Sequence, residues 1–244
     1  MIRGVLFDFG GVLTYSCWDL KVMSELIRQA FAERGIYLGE EFDTVFIDVM
    51  EEAWNRVIKT LKEEKIEELI SIALGRLGIN PDEKLIMESV ERIKDAPFCR
   101  IRENAKSVLS WIKRNGLKTA VVSNAPINFH EHILKSYGIY DYIDTIVVSC
   151  DIGYRKPHPK IYEYVLEQLS LKPKEAIFIG DVLDIDIYGA KKLGMICVLM
   201  KEPEPYMANK IVPKYGEVKP DFIIEDLPEL IDIIKYLNNI SKYF

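Results

Sequence analysis

A doubly wound parallel α/β sheet, with an all-helical segment inserted after its first strand, is the fold class this sequence predicts. Three observations carry that reading. From Arg102 onward, helical and strand patterns alternate, as a parallel sheet with right-handed crossovers requires. Between Tyr15 and Ala96, helical periodicity recurs with no convincing strand. The chain also opens on an apolar run, Val5-Leu6-Phe7, ending in Asp8-Phe9-Gly10-Gly11. That is the pattern of a buried strand whose carboxyl end faces a ligand site, with glycines that let backbone approach it.

After this strand, Asp19 to Arg34 repeats apolar residues at helical spacing (Leu20, Met23, Ile27, Phe31), and Gly35 supplies a stop. Glu41 to Leu77 holds two helices broken near Thr60 to Glu64. On the first of these, Phe46, Met50 and Trp54 share one face, which reads as core. Asn80-Pro81 reads as a cap with proline at the first helical position, opening a helix through Ile93. Helices are then expected at Glu103–Arg114, Asn128–Tyr137, Pro159–Leu169, Asp186–Leu193 and Pro228–Leu237. Strands are expected at Leu117–Val122, Ile143–Val148, Ala176–Ile179, Met195–Leu199 and Phe222–Ile224. Glu202 to Pro220, rich in proline and charge, reads as a surface loop. His130 and His132 are expected on the exposed side of their short helix, and His158 in a proline-framed turn without a catalytic role.

The 244 residues can bury a large core, and a net charge of -6 offers no nucleic-acid-binding surface. An anionic substrate must therefore be drawn in locally, by a lysine, a metal or helix N-termini. Cys17, Cys99, Cys150 and Cys197 lie far apart without zinc spacing and read as free thiols of a cytoplasmic protein. The chain opens on its first strand, leaving no room for a signal peptide, and no apolar run approaches membrane-spanning length. Only two glutamines stand against abundant Lys and Glu, which leans towards a heat-adapted source.

Asp8, Ser123-Asn124, Lys156 and Asp181 with Asp186 fall at or just beyond the carboxyl ends of four expected strands. Phosphoryl transfer would use such a set. A carboxylate attacks phosphorus, a hydroxyl and backbone N–H groups hold its oxygens, a lysine offsets charge, and further acids bind a hard divalent ion.

At these residues the sequence resembles the haloacid dehalogenase superfamily. Asp8-Phe9-Gly10-Gly11-Val12-Leu13 matches its opening motif and Val121-Val122-Ser123-Asn124 its second. Lys156-Pro157-His158-Pro159 matches the third, and Gly180-Asp181-Val182-Leu183-Asp184-Ile185-Asp186 the fourth. The resemblance implies a core of residues 1–14 and 97–244 with strand order 5-4-1-2-3, and a helical cap of residues 15–96. It implies Asp8 as nucleophile and Lys156 as the bridge from nucleophile to phosphate. Ser123, Asn124 and Gly11 would stand at the substrate. Magnesium would be held by Asp8, the Gly10 carbonyl, Asp181 and Asp186, while Asp184 falls off the pattern. Tyr15, Ser16, Cys17 and Trp18 would line the gap between core and cap or pack the hinge.

The sequence departs from the family's phosphatases at one point. They carry a second Asp two residues after the nucleophile, where this chain has Gly10. The expected activity is magnesium-dependent hydrolysis of a small phosphorylated metabolite through an aspartyl-phosphate, favouring good leaving groups. A metal-free 2-haloacid dehalogenase and a catalytically weak binding or regulatory module are the alternatives. The expected partners are the substrate alone or a second copy of the chain, with no nucleic acid and no membrane.

Overall fold

The computed structural model describes all residues except 16–18, 81, 97–98, 202–212 and 241–244. Six strands form one parallel sheet: β1 (Gly4–Phe7), β2 (Lys118–Ser123), β3 (Thr145–Val148), β4 (Ala176–Gly180), β5 (Ile196–Met200) and β6 (Phe222–Ile224). Their order is β3-β2-β1-β4-β5-β6. The first five strands stand as expected, and β6 extends the sheet beyond β5.

Alternation along each strand sends neighbouring side chains to opposite faces. Val5, Phe7, Val121, Ile177, Ile179 and Val198 pack on one face with α5 (Ala105–Arg114) and on through Leu230 and Ile234 of the last helix, Glu229–Ile240. Leu6, Ala120, Val122, Phe178 and Cys197 pack on the other, against Ile161, Tyr162 and Val165 of the helix Pro159–Gln168. Central strands covered on both faces read as continuous apolar runs, which is why β1 and β4 were legible.

Five α-helices lie between β1 and β2 among the described residues: α5, which packs on the sheet, is preceded by α1 (Leu20–Ala32), α2 (Glu41–Thr60), α3 (Ile66–Arg76) and α4 (Glu83–Lys94). The Asp19 carboxylate caps α1, accepting from the backbone N–H groups of Lys21 and Val22 at 3.0 and 3.1 Å. The cap of α4 is Asp82, accepting from Leu85 N at 2.9 Å, rather than the expected Asn80. Pro81 lies outside the described residues, as do Ser16, Cys17 and Trp18. Tyr15 is described: the Arg100 and Arg102 guanidinium carbons lie 4.3 and 4.6 Å from its ring centroid.

The remaining helices after α5 are α6 (His130–Ser136), α7 (Ser149–Ile152), α8 (Pro159–Gln168), α9 (Tyr188–Lys192) and α10 (Glu229–Ile240). The four-residue α7 was not legible, being too short to show a period. The expected helix at Asp186 starts instead with a π-type turn over Leu183–Ile187. The cysteine reading is corrected at one position: Cys99 is disulfide-bonded, while Cys150 and Cys197 are free and buried. Among the described residues no helix is long and apolar enough to cross a membrane.

The segment joining α2 to α3 is sewn to the sheet side. Leu61 ends α2 in a left-handed conformation, φ 54°, turning its carbonyl to accept from Arg155 N at 3.1 Å. Glu63 N donates to Gly153 O at 3.1 Å and Ile66 N to Pro126 O at 2.9 Å. The Glu63 carboxylate accepts from Ser149 Oγ at 2.6 Å and pairs with Arg155 at 3.4 Å, both charged side chains being under 10% exposed. Breaking such a buried pair from one side leaves an uncompensated charge, which typically costs ~3–5 kcal/mol. Glu63→Ala is therefore expected to lower unfolding free energy by about 3 kcal/mol in a urea titration. A loss under ~1 kcal/mol would put the pair among the inconsequential surface bridges.

Candidate active site

Parallel register brings three strand ends together. Phe7 is level with Val121 of β2 and Ile179 of β4, so Asp8, Ser123 and Asp181 emerge side by side at the carboxyl edge. Lys156 arrives from the loop after α7. Its backbone is gripped by the Asn124 side chain, which accepts from Lys156 N at 2.7 Å and donates to Lys156 O at 3.0 Å. The Lys156 ammonium, 2% exposed as a residue, lies 2.7 Å from Asp8 Oδ1 and 2.8 Å from Asp186 Oδ1. Asp186 is fully buried, and its Oδ2 accepts from Val182 N at 3.0 Å. Asp8 Oδ1 also accepts from Phe9 N at 2.6 Å.

Two glycines make room for this crowding. A Cβ on Gly11, whose φ is +76°, would meet Asp181 Oδ2 at 2.3 Å. A Cβ on Gly180 would meet Asp186 Cβ at 2.2 Å. Gly10 is unlike either: its φ is not left-handed and a Cβ would meet nothing within 4 Å.

The result is three carboxylates around one ammonium. Oxygens of Asp8, Asp181 and Asp186 lie within 4.8 Å of one another. Burial, then repulsion by Asp186, pushes the Asp8 carboxyl up to about 7 despite Lys156. Burial and repulsion by Asp186 and Asp8 push Asp181 up to about 8. For Lys156, burial disfavours the charge, but Asp186 and Asp8 outweigh it and the net shift is upward. Asp181 Oδ2 is buried with no hydrogen-bond partner among the described residues. An excess of hard oxygen donors with one orphaned oxygen fits a divalent cation of the magnesium type.

The cavity beside this cluster has a volume of ≈ 70 Å³ and is lined by Asp8, Phe9, Gly10, Ser123, Asn124, Lys156, Asp181 and Asp186. Gly11, expected at the substrate, does not line it; it is buried beneath Asp181. Asp184 is absent from the wall too, its Oδ1 accepting from Tyr215 N at 3.3 Å. His158 caps α8, its Nδ1 accepting from Lys160 N at 3.2 Å.

Wall residues that sequence reasoning missed include Trp54 of α2, Phe129, His130 and Arg155. Trp54 was read as core stripe, but only Phe46 of that stripe is fully buried. The Arg155 guanidinium carbon lies 5.0 Å from the Trp54 ring centroid. His130 was expected on an exposed face and is instead 0% exposed. Its ring stacks on Phe129 at 4.7 Å and meets Phe9 edge-on at 4.5 Å. Burial, with Lys156 nearby, pushes its pKa down to about 3, so the ring is neutral at pH 7. The exposed member is His132, 3.4 Å from Asp95. The available signal was the flanking Phe129 and Ile133, both 2% exposed.

The family model described as haloacid dehalogenase-like hydrolase matches residues 2–194. A glyceraldehyde 3-phosphate phosphatase of Pyrococcus furiosus is 29% identical, over 99% of this chain and 96% of its own length. The enzyme of that name from Methanopyrus kandleri is 30% identical over 97% and 99%. Among solved structures, a 2-haloacid dehalogenase from Pseudomonas syringae pv. Tomato has a TM-score of 0.70 at 20% identity, over 97% of this chain and 100% of that one. A HAD phosphatase from Thermococcus onnurineus has a TM-score of 0.60 at 22% identity, over 96% and 98%. These structural likenesses are of fold alone.

Asp8 and Asp181 hold protons in the folded state that the unfolded chain releases near pH 4. Stability should therefore be greatest at low pH in this respect and fall as pH rises from about 4 through 8. In excess chelator the melting temperature is expected to drop between about pH 5 and 8, and millimolar magnesium to remove most of that drop. A melting temperature with the same pH dependence with and without magnesium would sever the cluster from the cation.

Proposed function

The chain belongs to the haloacid dehalogenase-like hydrolases, and from that premise we propose that it is a magnesium-dependent phosphatase for a small phosphorylated metabolite. The observation that carries this reading is the third carboxylate. A dehalogenase stabilises a departing halide and has no use for a buried anion there, whereas Asp181 stands beside Asp8 with an unpartnered oxygen. The curated relatives named as phosphatases point the same way.

In this reading residues 1–14 and 97–244 form the catalytic core, and the helices of 15–96 cap it. Asp8 is the nucleophile: with Oδ1 engaged by Lys156 and Phe9 N, Oδ2 is the oxygen left to attack phosphorus. The Asp8 Oδ2–phosphorus bond forms as the ester oxygen leaves with its electron pair. Water then hydrolyses the aspartyl-phosphate, returning Asp8 and releasing inorganic phosphate. Ser123 and the Asn124 backbone hold the phosphoryl oxygens, and Lys156 bridges them to Asp8. Asp8, Asp181, Asp186 and the Gly10 carbonyl would hold magnesium, which when bound offsets the negative charge of the phosphoryl group. Asp8→Asn is expected to lower phosphate release from p-nitrophenyl phosphate by more than ~10³-fold while leaving the melting temperature within a few degrees. Retention of a tenth of the rate would remove Asp8 from the role. Chloride release from 2-chloropropionate without phosphate release from any ester would return the dehalogenase reading.

With Gly10 in place of the family's acid, the departing oxygen leaves largely as an anion. The rate is expected to fall steeply as leaving-group pKa rises from acyl through aryl to alkyl phosphates. Gly10→Asp has both room and an ordinary backbone conformation. It should raise kcat/KM for alkyl phosphates by on the order of 10²-fold. A flat dependence in the wild type would mean that another group supplies the proton.

A further inference from the structure

Arg155 and Lys156 are consecutive cations whose side chains diverge. Lys156 turns to Asp8 and Asp186, at 2.7 and 2.8 Å. Arg155 turns instead to the helical insertion: its Nη1 donates to Glu63 Oε1 at 3.4 Å, and its guanidinium carbon lies 5.0 Å from the Trp54 ring centroid. A guanidinium carries N–H donors on every nitrogen, and among the described residues this one long bond is the only hydrogen bond its side chain makes. The Arg155 side chain lines the active-site cavity and keeps 8% of its surface open, against 1% for Lys156.

Attack by Asp8 leaves one developing charge without a partner. In an in-line displacement the leaving oxygen lies on the far side of phosphorus from the nucleophile. With Gly10 in place of an acid, that oxygen departs largely as an anion. The side chains with N–H or O–H groups on the cavity wall are Trp54, Ser123, Asn124, His130, Arg155 and Lys156. Ser123 is taken by the phosphoryl oxygens, Lys156 by the two carboxylates, and the Asn124 amide by the Lys156 backbone. Trp54 Nε1 and His130 Nε2 are sealed in the interior. Arg155 is the donor that remains, and its partners lie away from those of Lys156.

Resting on the phosphatase reading, we propose that Arg155 is a catalytic residue for departure of the leaving group, its guanidinium N–H meeting the ester oxygen as the phosphorus–oxygen bond breaks. The bonding pair passes to that oxygen, the guanidinium offsets the new negative charge without surrendering its own proton, and water supplies the proton that completes the alcohol. The contribution is therefore largest where the leaving oxygen is most basic. The test compares kcat/KM with magnesium for p-nitrophenyl, phenyl and propyl phosphate in wild type, Arg155→Met, Arg155→Lys and Glu63→Gln. Arg155→Met is expected to lose on the order of 10²–10³-fold on propyl phosphate, as removal of an oxyanion donor typically does, and under ~10-fold on p-nitrophenyl phosphate. Phenyl phosphate should fall between, and Arg155→Lys should lose less than Arg155→Met on the alkyl ester. Glu63→Gln breaks the same buried pair yet keeps the guanidinium, so its rates should stay in the wild-type ratios. Where Arg155→Met fails to fold because Glu63 is left unpaired, its combination with Glu63→Gln removes that charge and should show the same steepening. An equal loss on all the esters, unchanged ratios in the folded Arg155 variants, or the same steepening in Glu63→Gln would overturn the proposal and leave the phosphatase reading in place. A wild type that releases no phosphate from any ester overturns that reading, and this proposal with it.

Discussion

The arrangement at the sheet edge depends on one buried ammonium. Lys156 sits within hydrogen-bonding distance of Asp8 and Asp186, with Asp181 close behind, so one positive charge faces three carboxylates where water is scarce. Isolated charges in such surroundings would neutralise or drive the structure apart. The chain around them serves to prevent both. Asn124 fixes the lysine backbone from both its N–H and its carbonyl. The buried Tyr162 hydroxyl donates to the Ile185 and Asp186 carbonyls at 2.8 and 3.0 Å, holding the turn that delivers Asp186. What remains uncompensated is negative charge, and that residue of charge makes a cation the natural complement of the site.

The same economy of space governs how the helices over the site are held. The segment from Leu61 to Ile66 is joined to the sheet side by backbone hydrogen bonds, and the Glu63–Arg155 pair lies beneath it. Tyr215 adds a strap, its N–H on Asp184 and its hydroxyl on Ile58 O at 3.2 Å. Trp54, on the same helix as Ile58, lines the cavity with the Arg155 guanidinium over its ring. Helix α2 thus supplies a wall residue that the sheet edge alone does not.

Much of this was legible because it is periodic or local. Buried central strands announce themselves as apolar runs, and the acids and lysine fall at their ends, where a parallel sheet places ligands. What escaped was tertiary. His130 starts a seven-residue helix, too short to reveal a face, and its burial comes from Phe9, more than a hundred residues away. Trp54 shares a helical face with a core phenylalanine, and periodicity cannot tell packing against protein from packing against a cavity. Gly11 looked like a backbone approach to substrate; its neighbour proved to be Asp181. The disulfide of Cys99 left no trace in spacing.

The adjacent glycines Gly10 and Gly11 separate architecture from chemistry. Gly11 is dictated by geometry, since its left-handed backbone and the Asp181 carboxylate both exclude a side chain. Nothing of the kind constrains Gly10, which has open space and an ordinary conformation. The absence of an acid there is thus not a packing necessity, and under the phosphatase reading its consequence is chemical: the burden of bond cleavage shifts to the leaving group. On that reading, a nucleophile without its own acid asks for a substrate whose leaving oxygen departs readily as an anion.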